Sequence, residues 1–267
     1  MRKLNLKEIQ QIELNILIFF ADVCAKNNLR YGLTSGTLLG AVRHGGFIPW
    51  DDDIDVVMPR PDYLKLINIM NSENGEYILK SPYNDSEYIY EYAKLMDART
   101  VLIEEPGNLA IKMSVYIDIF PVDGVPTTVD KQLKQFKKVK KMQTLYAAIV
   151  RSRYKIKYTT GLTRTIWMVM SIFNKIKLDR VIFRALEHIS MKYKFDQSSY
   201  CAVLTGQGMK EVFSKEEYDL KGKVVFEGKK FCTYTNPESY LEQFFGDYKK
   251  LPPMEQRHGH NNEVWMV

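Results

Sequence analysis

The sequence predicts a mixed α+β fold, in which a core sheet is flanked by helices and followed by a mostly helical part. Segments of helical period alternate with short β-branched segments up to about residue 130, and helical character then dominates to about residue 193. With 45% hydrophobic and 26% charged residues, the composition is that of an ordinary globular protein. We expect a core in residues 1–130, a basic helical region in 131–195, and a hairpin and helix in 196–267 that pack back on the core.

Local sequence signals predict where the helices and strands of the first half of the chain begin and end. Gly45 and Gly46 end a short helix, Pro61 suits the first turn of the next helix, and the β-branched segment Ile54–Met58 predicts a strand. The predicted helices span residues 7–27, 37–43 and 61–71, and the predicted strands span residues 30–34, 54–58, 77–80, 89–96, 100–103 and 115–120. This order indicates a mixed sheet with helices packed on it.

The second half is predicted to be helical until a hairpin begins. Breaks are expected at Gly161 and at Leu178–Asp179. The segment KVVFEGKKFCTY predicts a hairpin with Glu227–Gly228 at its turn, and a final helix begins at Asn236 and Pro237. The tail then reads GDYKKLPPMEQRHGH.

The cysteines and the hydropathy of the chain indicate the cellular compartment in which the protein is expected. Cys24, Cys201 and Cys232 are widely spaced, so neither a disulfide framework nor a zinc site is expected, and a reducing cytoplasmic setting fits best. The apolar runs at residues 14–21 and 165–173 are far below the roughly 20 residues that a membrane-spanning helix needs. We therefore expect no signal peptide and no transmembrane segment.

Charge is distributed unevenly along the chain. Residues 1–130 carry a balance of −7, residues 131–184 a balance of +14, and residues 185–267 a balance of −1. The basic stretch is most often a solvated helix face; the alternative is peripheral docking to an anionic membrane. In that alternative, the residues expected to enter the membrane surface are Trp167, Met168, Met170, Ile172 and Phe173. A nucleic-acid role is not expected, because the stretch lacks interleaved aromatic platforms.

A cluster of aspartates abuts the strand at 54–58. Asp53 and Asp55 are two apart, so they share one face of a strand, and Asp51 joins them if the strand starts early. Carboxylates this close raise one another's pKa, and a bound divalent cation such as Mg²⁺ removes that cost. The alternatives are a solvated acidic loop and an EF-hand loop. The EF-hand is disfavoured because Val56 stands where that loop requires glycine.

Two further features support a metal and phosphate site. Ser35, Gly36 and Thr37 leave a strand and enter a helix, where backbone N–H groups favour an anion and Arg43 or His44 could assist. A plain N-cap at Ser35 or Thr37 is the commoner explanation. A third carboxylate is expected from a neighbouring strand. Asp118 is preferred to Asp123, which follows Pro121 in what looks like a turn.

These segments resemble the LicD family, relatives of the fukutin proteins within the nucleotidyltransferase superfamily. The resemblance is carried by SGTLLGAVRHGGFIPWDDDIDVVMPR (35–60), YAKLMDART (92–100), YIDIFPVDG (116–124) and FGDYKKLPPMEQRHGH (245–260). It implies a polymerase-β-like nucleotidyltransferase core in residues 1–130, in which Asp53, Asp55 and Asp118 are catalytic and Asp51 joins them as a metal ligand. The order Ser35–Gly36 reverses the superfamily's Gly-Ser phosphate turn.

The activity that the resemblance implies is phosphotransfer. Family members move a phosphorylated alcohol, in bacteria usually phosphocholine, from a CDP-linked donor such as CDP-choline to a sugar hydroxyl of teichoic acid or lipopolysaccharide. The cofactor would be Mg²⁺ or Mn²⁺, and the acceptor a lipid-linked glycan at the inner face of the cell membrane.

Several other residues are expected to bind substrate, each with a structural alternative. Lys94 would hold a phosphate unless it is a surface strand lysine, and Arg99 is a weaker choice. The aromatic residues Trp50, Tyr83, Tyr88, Tyr90, Tyr92 and Tyr116 could supply a choline pocket by cation–π attraction, although most should be core residues. His258 and His260 lie in a tail whose default is a solvated segment.

Two alternative functions remain open from the sequence. One is transfer of a nucleoside monophosphate from a nucleoside triphosphate to a small or sugar acceptor. The other is a non-catalytic metal-binding or glycan-binding module. The sequence leaves undetermined the transferred alcohol, the acceptor position, the number of metal ions and the oligomeric state.

Overall fold

The computed structural model describes residues 2–71, 75–104, 111–158, 160–260 and 262–267. The helices are α1 (Leu6–Lys26), α2 (Ser35–His44), α3 (Arg60–Met70), α4 (Val129–Tyr158), α5 (Gly161–Lys175), α6 (Leu178–Ser190) and α7 (Pro237–Phe245). The strands are β1 (Arg2–Lys3), β2 (Gly32–Leu33), β3 (Asp55–Pro59), β4 (Tyr77–Lys80), β5 (Ala93–Asp97), β6 (Thr100–Glu104), β7 (Ile111–Met113), β8 (Tyr116–Val125), β9 (Tyr200–Ala202), β10 (Phe213–Ser214), β11 (Gly222–Phe226), β12 (Lys229–Thr233) and β13 (Glu263–Met266). The mixed α+β class is confirmed.

The central sheet is organised around the long strand β8. Strand β3 pairs with it in parallel along one edge, and β5 and then β9 pair with it antiparallel along the other. Strand β2 extends the sheet beyond β3, β10 beyond β9, and β4 beyond β5. The sheet is therefore mixed, as the order of sequence elements predicts.

One face of this sheet is the main core. Ile54, Val56 and Met58 are spaced two apart on this face and are fully buried, as are Ile117 and Ile119 of β8. Helices α1 and α3 pack against β8, and α1 is held at its start by a capping box between Asn5 and Glu8. The opposite face carries Asp55 and Asp118, with Val57 and Phe120 beside them.

The helical region forms its own small core beside the sheet. Helices α4, α5 and α6 pack on one another around Tyr146, Ile149, Val150, Ile182 and Phe183. The expected breaks at Gly161 and Leu178 are confirmed.

The structure corrects the expected membrane-facing set of α5. Met170 and Phe173 pack against the small core, and Trp167 is partly buried with the Lys155 ammonium 4.6 Å from its ring centroid. Met168 and Ile172 remain exposed. The sequence alone does not show which side of α5 faces the protein, because seven of the eight residues from 166 to 173 are apolar.

A buried ion-pair network ties the helical region to the sheet. Arg60 makes a bidentate pair with Asp123 at 2.8 and 2.6 Å, and its other amino group donates to Glu187 of α6 at 3.1 Å. The predicted turn at Asp123 is wrong: β8 continues through Pro121 to Val125, because Arg60 compensates the buried carboxylate. Asp123 also lies on the opposite face of β8 from Asp118, since it is an odd number of positions further along the strand.

The C-terminal segment returns to the N-terminal half. The hairpin β11–β12 is confirmed, and α7 packs against α2. Strand β13 joins β1, β6 and β7 in a second, antiparallel sheet that the sequence did not predict, because its members are short and its pairing is long-range. Within the described ranges, no helix combines the length and the apolar character needed to cross a bilayer.

Candidate active site

The parallel pairing of β3 and β8 brings two aspartates side by side. Asp55 is in register with Asp118, so their carboxylates project from the same face of the sheet. Asp53 precedes Asp55 by two residues, and Asp51, Asp53 and Asp55 line one cavity. This face is the one opposite the apolar core.

The carboxylates are crowded and largely removed from water. Burial, followed by the charge of Asp51, raises the pKa of Asp53 to about 7. Burial, followed by the charges of Asp53 and Asp118, raises the pKa of Asp55 well above its ordinary value. Burial also raises the pKa of Asp51. Negative charge is therefore costly here unless a cation compensates it.

A further acidic side chain, Glu13, approaches from α1. Its side chain is buried, and its Oε2 atom has no hydrogen-bond partner among the described residues. Burial, then the charge of Asp53, raises the pKa of Glu13 well above its ordinary value. The sequence analysis missed this residue, although a signal existed. Glu13 lies on the apolar face of α1 between Ile12 and Ile16, where an acidic residue is unexpected.

The C-terminal tail also reaches the cluster. The backbone N–H of His260 donates to Asp52 Oδ1 at 2.8 Å, and its ring Nδ1 lies 3.0 Å from the same oxygen. This hydrogen bond raises the pKa of His260 to about 9. A Cβ on Gly259 would lie 2.5 Å from the Trp50 carbonyl oxygen, so only glycine allows the tail this close. His258 and His260 are both exposed, but the contacts of His260 with Asp52 fix it beside the cluster, so the solvated-tail default does not hold for His260.

The residues present fit a divalent cation. Asp51, Asp53 and His260 each offer a ligand atom, and these atoms all lie within 4.8 Å of one another. Carboxylate oxygens suit Mg²⁺ and Mn²⁺, and an imidazole nitrogen is better suited to Mn²⁺ than to Mg²⁺. The Glu13 oxygen without a hydrogen-bond partner and the raised pKa of Asp53 are the features expected of carboxylates whose negative charge a bound cation would stabilise.

The turn that begins α2 faces the same carboxylates. Ser35 adopts a left-handed conformation with φ of 48°, and Ser35 and Gly36 both line the cavity. A Cβ on Gly36 would lie 3.1 Å from Asp51 Oδ2, so the turn and the carboxylate are in close approach. Thr37 is buried and its hydroxyl accepts the backbone N–H of Asp55 at 2.8 Å, which fixes the start of β3.

The plain N-cap expected at Ser35 or Thr37 is wrong. The helix begins after Thr34, whose hydroxyl makes no capping bond and instead contacts the Tyr240 and Tyr234 hydroxyls at 2.7 and 2.9 Å. The Tyr240 hydroxyl in turn accepts the backbone N–H of Ser35 at 3.3 Å. The turn is thus held in place by Tyr240 of α7 and by Tyr234, the residue after β12.

Lys94 is a buried member of the site. Its side chain is only 1% exposed, and its ammonium donates to Asp118 Oδ1 at 2.7 Å. The same ammonium lies 3.3 Å from the Tyr116 ring centroid and 4.5 Å from that of Tyr90. The surface-lysine alternative is therefore wrong. Three of the tyrosines proposed for a quaternary ammonium, Tyr90, Tyr92 and Tyr116, surround this lysine instead.

Arg43 and Trp50 lie away from the cavity lining. Arg43 donates to the Tyr248 carbonyl at 2.9 Å, and the Arg257 guanidinium lies 5.5 Å from the Trp50 ring centroid. Both residues therefore contact the C-terminal segment that carries His260. Arg99 pairs with Asp97 at 2.6 Å, also away from the carboxylates that line the cavity.

The cavity beside the carboxylates has a volume of about 560 Å³. Its lining combines the acidic residues with the apolar side chains Val57, Phe120, Val203, Phe244 and Phe245. Glu211 also lines it, and burial raises the pKa of Glu211 to about 7. The cavity therefore offers both carboxylates and apolar surface to a bound molecule.

Carboxylates placed beside a helix N-terminus, at the edge of a cavity this large, are an arrangement suited to binding a metal ion together with phosphate groups. A family model described as the LicD/FKTN/FKRP nucleotidyltransferase domain matches residues 28–161. The chain belongs to this family. The matched residues include the aspartates of β3 and β8 and Lys94, whereas Glu13 and His260 lie outside them.

Similarity to individual proteins extends beyond that domain. The chain is 32% identical to the Haemophilus influenzae lipopolysaccharide cholinephosphotransferase LicD, over 98% of this chain and 97% of that protein. It is 30% identical to human ribitol 5-phosphate transferase FKRP, over 41% of this chain and 20% of that protein. A Rickettsia prowazekii protein is 49% identical over a segment covering 18% of each chain. Both relatives with named activities are phosphotransferases, and this chain is a phosphotransferase.

Proposed function

We propose that this protein transfers phosphocholine from CDP-choline to a sugar hydroxyl of a cell-surface glycan precursor and releases CMP. The observation that carries the proposal is the grouping of Asp53, Asp55 and Asp118 on one face of two paired strands, beside a cavity. The similarity to a lipopolysaccharide cholinephosphotransferase along nearly the whole chain supports the transferred group. The acceptor class proposed is a lipopolysaccharide or teichoic acid precursor.

The roles of the acidic residues follow from their positions. Asp51, Asp53, Asp55 and Asp118 are proposed to hold Mg²⁺ or Mn²⁺, with His260 beside them. When bound, the ion would neutralise charge on the donor diphosphate and on the departing CMP. Glu13 adds a buried acid behind these ligands.

The remaining residues orient the donor and the acceptor. Ser35 and Gly36, which line the cavity, are proposed to bind the donor phosphates, and Thr37 holds Asp55 in register. Asp118, oriented by Lys94, accepts the proton of the acceptor hydroxyl. The acceptor oxygen then bonds to the phosphorus that carries choline, and the bond from that phosphorus to the CMP oxygen breaks.

The fold and location proposed are those that the family resemblance implies. Residues 1–130 would form a polymerase-β-like nucleotidyltransferase core, residues 131–195 a basic helical region, and residues 196–267 the segment that completes the site. The protein would work in the cytoplasm, in peripheral contact with the inner face of the cell membrane, where a lipid-linked glycan acceptor is found.

A donor comparison tests the reaction. The purified protein is incubated with Mg²⁺, an acceptor glycan extract and labelled CDP-choline, and CMP release is followed beside CDP-ribitol and other CDP-alcohols. We expect CMP release and a product heavier by phosphocholine. The Asp53→Asn variant should lose at least about a hundredfold in rate, whereas Asp22→Asn, an exposed aspartate on α1, should retain it.

Other products would redirect or overturn the proposal. Preference for CDP-ribitol would keep the site and change the transferred alcohol. Pyrophosphate release from a nucleoside triphosphate, with a product heavier by a nucleoside monophosphate, would instead establish nucleotide transfer. Full activity of Asp53→Asn would overturn the assignment of the site.

A further inference from the structure

The outer face of α5 is apolar and exposed. Its residues Leu162, Ile166, Val169 and Ile172 are spaced by three or four positions, so they lie along one side of the helix. Leu162 is 80% exposed, and the other three are each more than half exposed. Ile176, immediately after the helix, continues the row at 65% exposed. We call these five residues the α5 stripe.

The inner side of α5 explains why the stripe faces outward. Met170 and Phe173 pack against the small core formed by α4 and α6. These contacts fix the rotation of the helix and leave the α5 stripe unburied in the chain. Isolated exposed apolar residues are ordinary on a protein surface, whereas a contiguous row along a helix marks an interaction site.

The surroundings of the α5 stripe are positively charged. Residues 131–178 contain 13 lysines and arginines and no aspartate or glutamate. At the end of the α5 stripe, Lys175, Lys177, Arg180 and Arg184 line a cavity of about 810 Å³ together with Ile176. Three acidic residues also line it, of which Asp179 and Glu187 are buried and only Glu87 is exposed. Basic groups therefore stand directly beside the apolar row.

We propose that the α5 stripe lies in the surface of an anionic lipid bilayer, with the basic residues at its end binding lipid phosphate groups. An apolar helix face bordered by lysine and arginine is the pattern of helices that lie in the plane of a membrane interface, with the apolar side buried about 5–10 Å into it. The charge complementarity favours an anionic bilayer over a second copy of this chain, because two copies would bring these cations together. The proposal specifies the surface that makes the peripheral contact proposed above, and it is independent of which phosphoalcohol is transferred.

Vesicle co-sedimentation tests this surface with the full-length protein. We expect binding to vesicles of phosphatidylcholine mixed with phosphatidylglycerol, weaker binding as salt is raised, and little binding to phosphatidylcholine alone. The double variant Ile166→Glu/Ile172→Glu should bind at least about tenfold more weakly. Met254→Glu is the matched control, because Met254 is 74% exposed and distant in sequence, and it should bind as the wild type does.

Two further variants separate the parts of the proposal. Lys175→Glu/Lys177→Glu should weaken binding to anionic vesicles and flatten its salt dependence. Asp53→Asn should lose CMP release and still bind vesicles, so failure of the reaction and failure of the docking are distinguishable. Circular dichroism of each variant checks that it remains folded.

Three outcomes would overturn the proposal. The first is an absence of wild-type binding to anionic vesicles at low salt. The second is binding by Ile166→Glu/Ile172→Glu equal to that of the wild type. The third is a wild-type dimer in size-exclusion chromatography that this variant converts to a monomer, without vesicle binding by either protein; that result would assign the α5 stripe to self-association.

Discussion

The acidic site and the basic helical region use charge in opposite ways. In the site, Asp118 is buried and Asp53 and Asp55 are half-buried, and burial together with neighbouring carboxylates raises the pKa of Asp53 and of Asp55. In the helical region, lysines such as Lys134 and Lys138 of α4 stand on exposed positions where water solvates them. Buried like charges cost free energy that solvated ones do not.

This difference decides how much a run of charge reveals about function. Crowded buried acids imply a compensating ligand, because the folded state is otherwise destabilised. Exposed basic residues carry no such implication, so the lysines alone would not establish a partner for α4–α6. The evidence there is the α5 stripe, which exposes apolar surface beside the positive charge.

The largest expected effect concerns the link between the two regions. Arg60→Met would leave Asp123 and Glu187 buried without their cation, and we expect it to destabilise the protein by about 3–5 kcal/mol. Arg184→Met, at an exposed position of the same region, should cost about 0.5 kcal/mol or less. Urea unfolding of both variants measures the difference. Equal losses of stability in the two variants would show that burial does not determine how much the Arg60 ion pairs contribute to the free energy of unfolding.

A second test uses the pH dependence of a buried acid in the cavity. Glu211 has a folded-state pKa of about 7 against an ordinary value of 4.5, so between these pH values the folded protein binds more protons than the unfolded one. Wild-type stability should therefore fall relative to Glu211→Gln as the pH rises through this window, by up to about 3 kcal/mol.

Urea unfolding at several pH values measures this difference, and Glu216→Gln, at an exposed glutamate, is the control. A constant offset between wild type and Glu211→Gln at every pH would contradict the raised pKa.

A third test asks whether the acidic cluster is relieved by a cation. Mg²⁺ or Mn²⁺ at a hundredfold its dissociation constant should stabilise the wild type by about 2.7 kcal/mol. Asp53→Asn should show little of this gain, and without metal it should be more stable than the wild type, because one of the crowded negative charges is gone. Differential scanning calorimetry with and without metal gives both quantities. Asp22→Asn should behave as the wild type, and a metal response retained in Asp53→Asn would exclude Asp53 as a ligand.

The smallest expected effect concerns the tail that closes the site. Gly259→Ala would place a methyl group against the Trp50 carbonyl and Asp52, so the tail must shift at a cost of about 1–2 kcal/mol. As His260 leaves Asp52, its pKa should fall from about 9 toward 6.5, which NMR titration of the ring measures. Gly75→Ala is the control, since a Cβ there would meet no neighbour within 4 Å. An unchanged His260 titration would show that the tail does not depend on this close approach.

The sequence was informative wherever a short segment carried its own signal. The period of two in Asp53, Ile54 and Asp55 predicted which side chains face the core, and the hairpin turn at Glu227–Gly228 lies where its residues placed it. It failed where a distant partner decides the outcome. Asp123 looked like a turn residue, whereas the structure pairs it with Arg60. Lys94 was expected to hold a phosphate, with a surface lysine as the alternative, whereas the structure buries it against Asp118 of β8.

By itself, the sequence determined the family, the α+β class and the acidic strand, because these depend on residue order and local periodicity. Only the tertiary structure decided that Glu13 and His260 join the aspartates and that the α5 stripe faces outward. Glu13 and His260 come from opposite ends of the chain, and the rotation of α5 depends on which of its apolar residues α4 and α6 bury. Both are set by long-range packing, which leaves no pattern in the order of neighbouring residues.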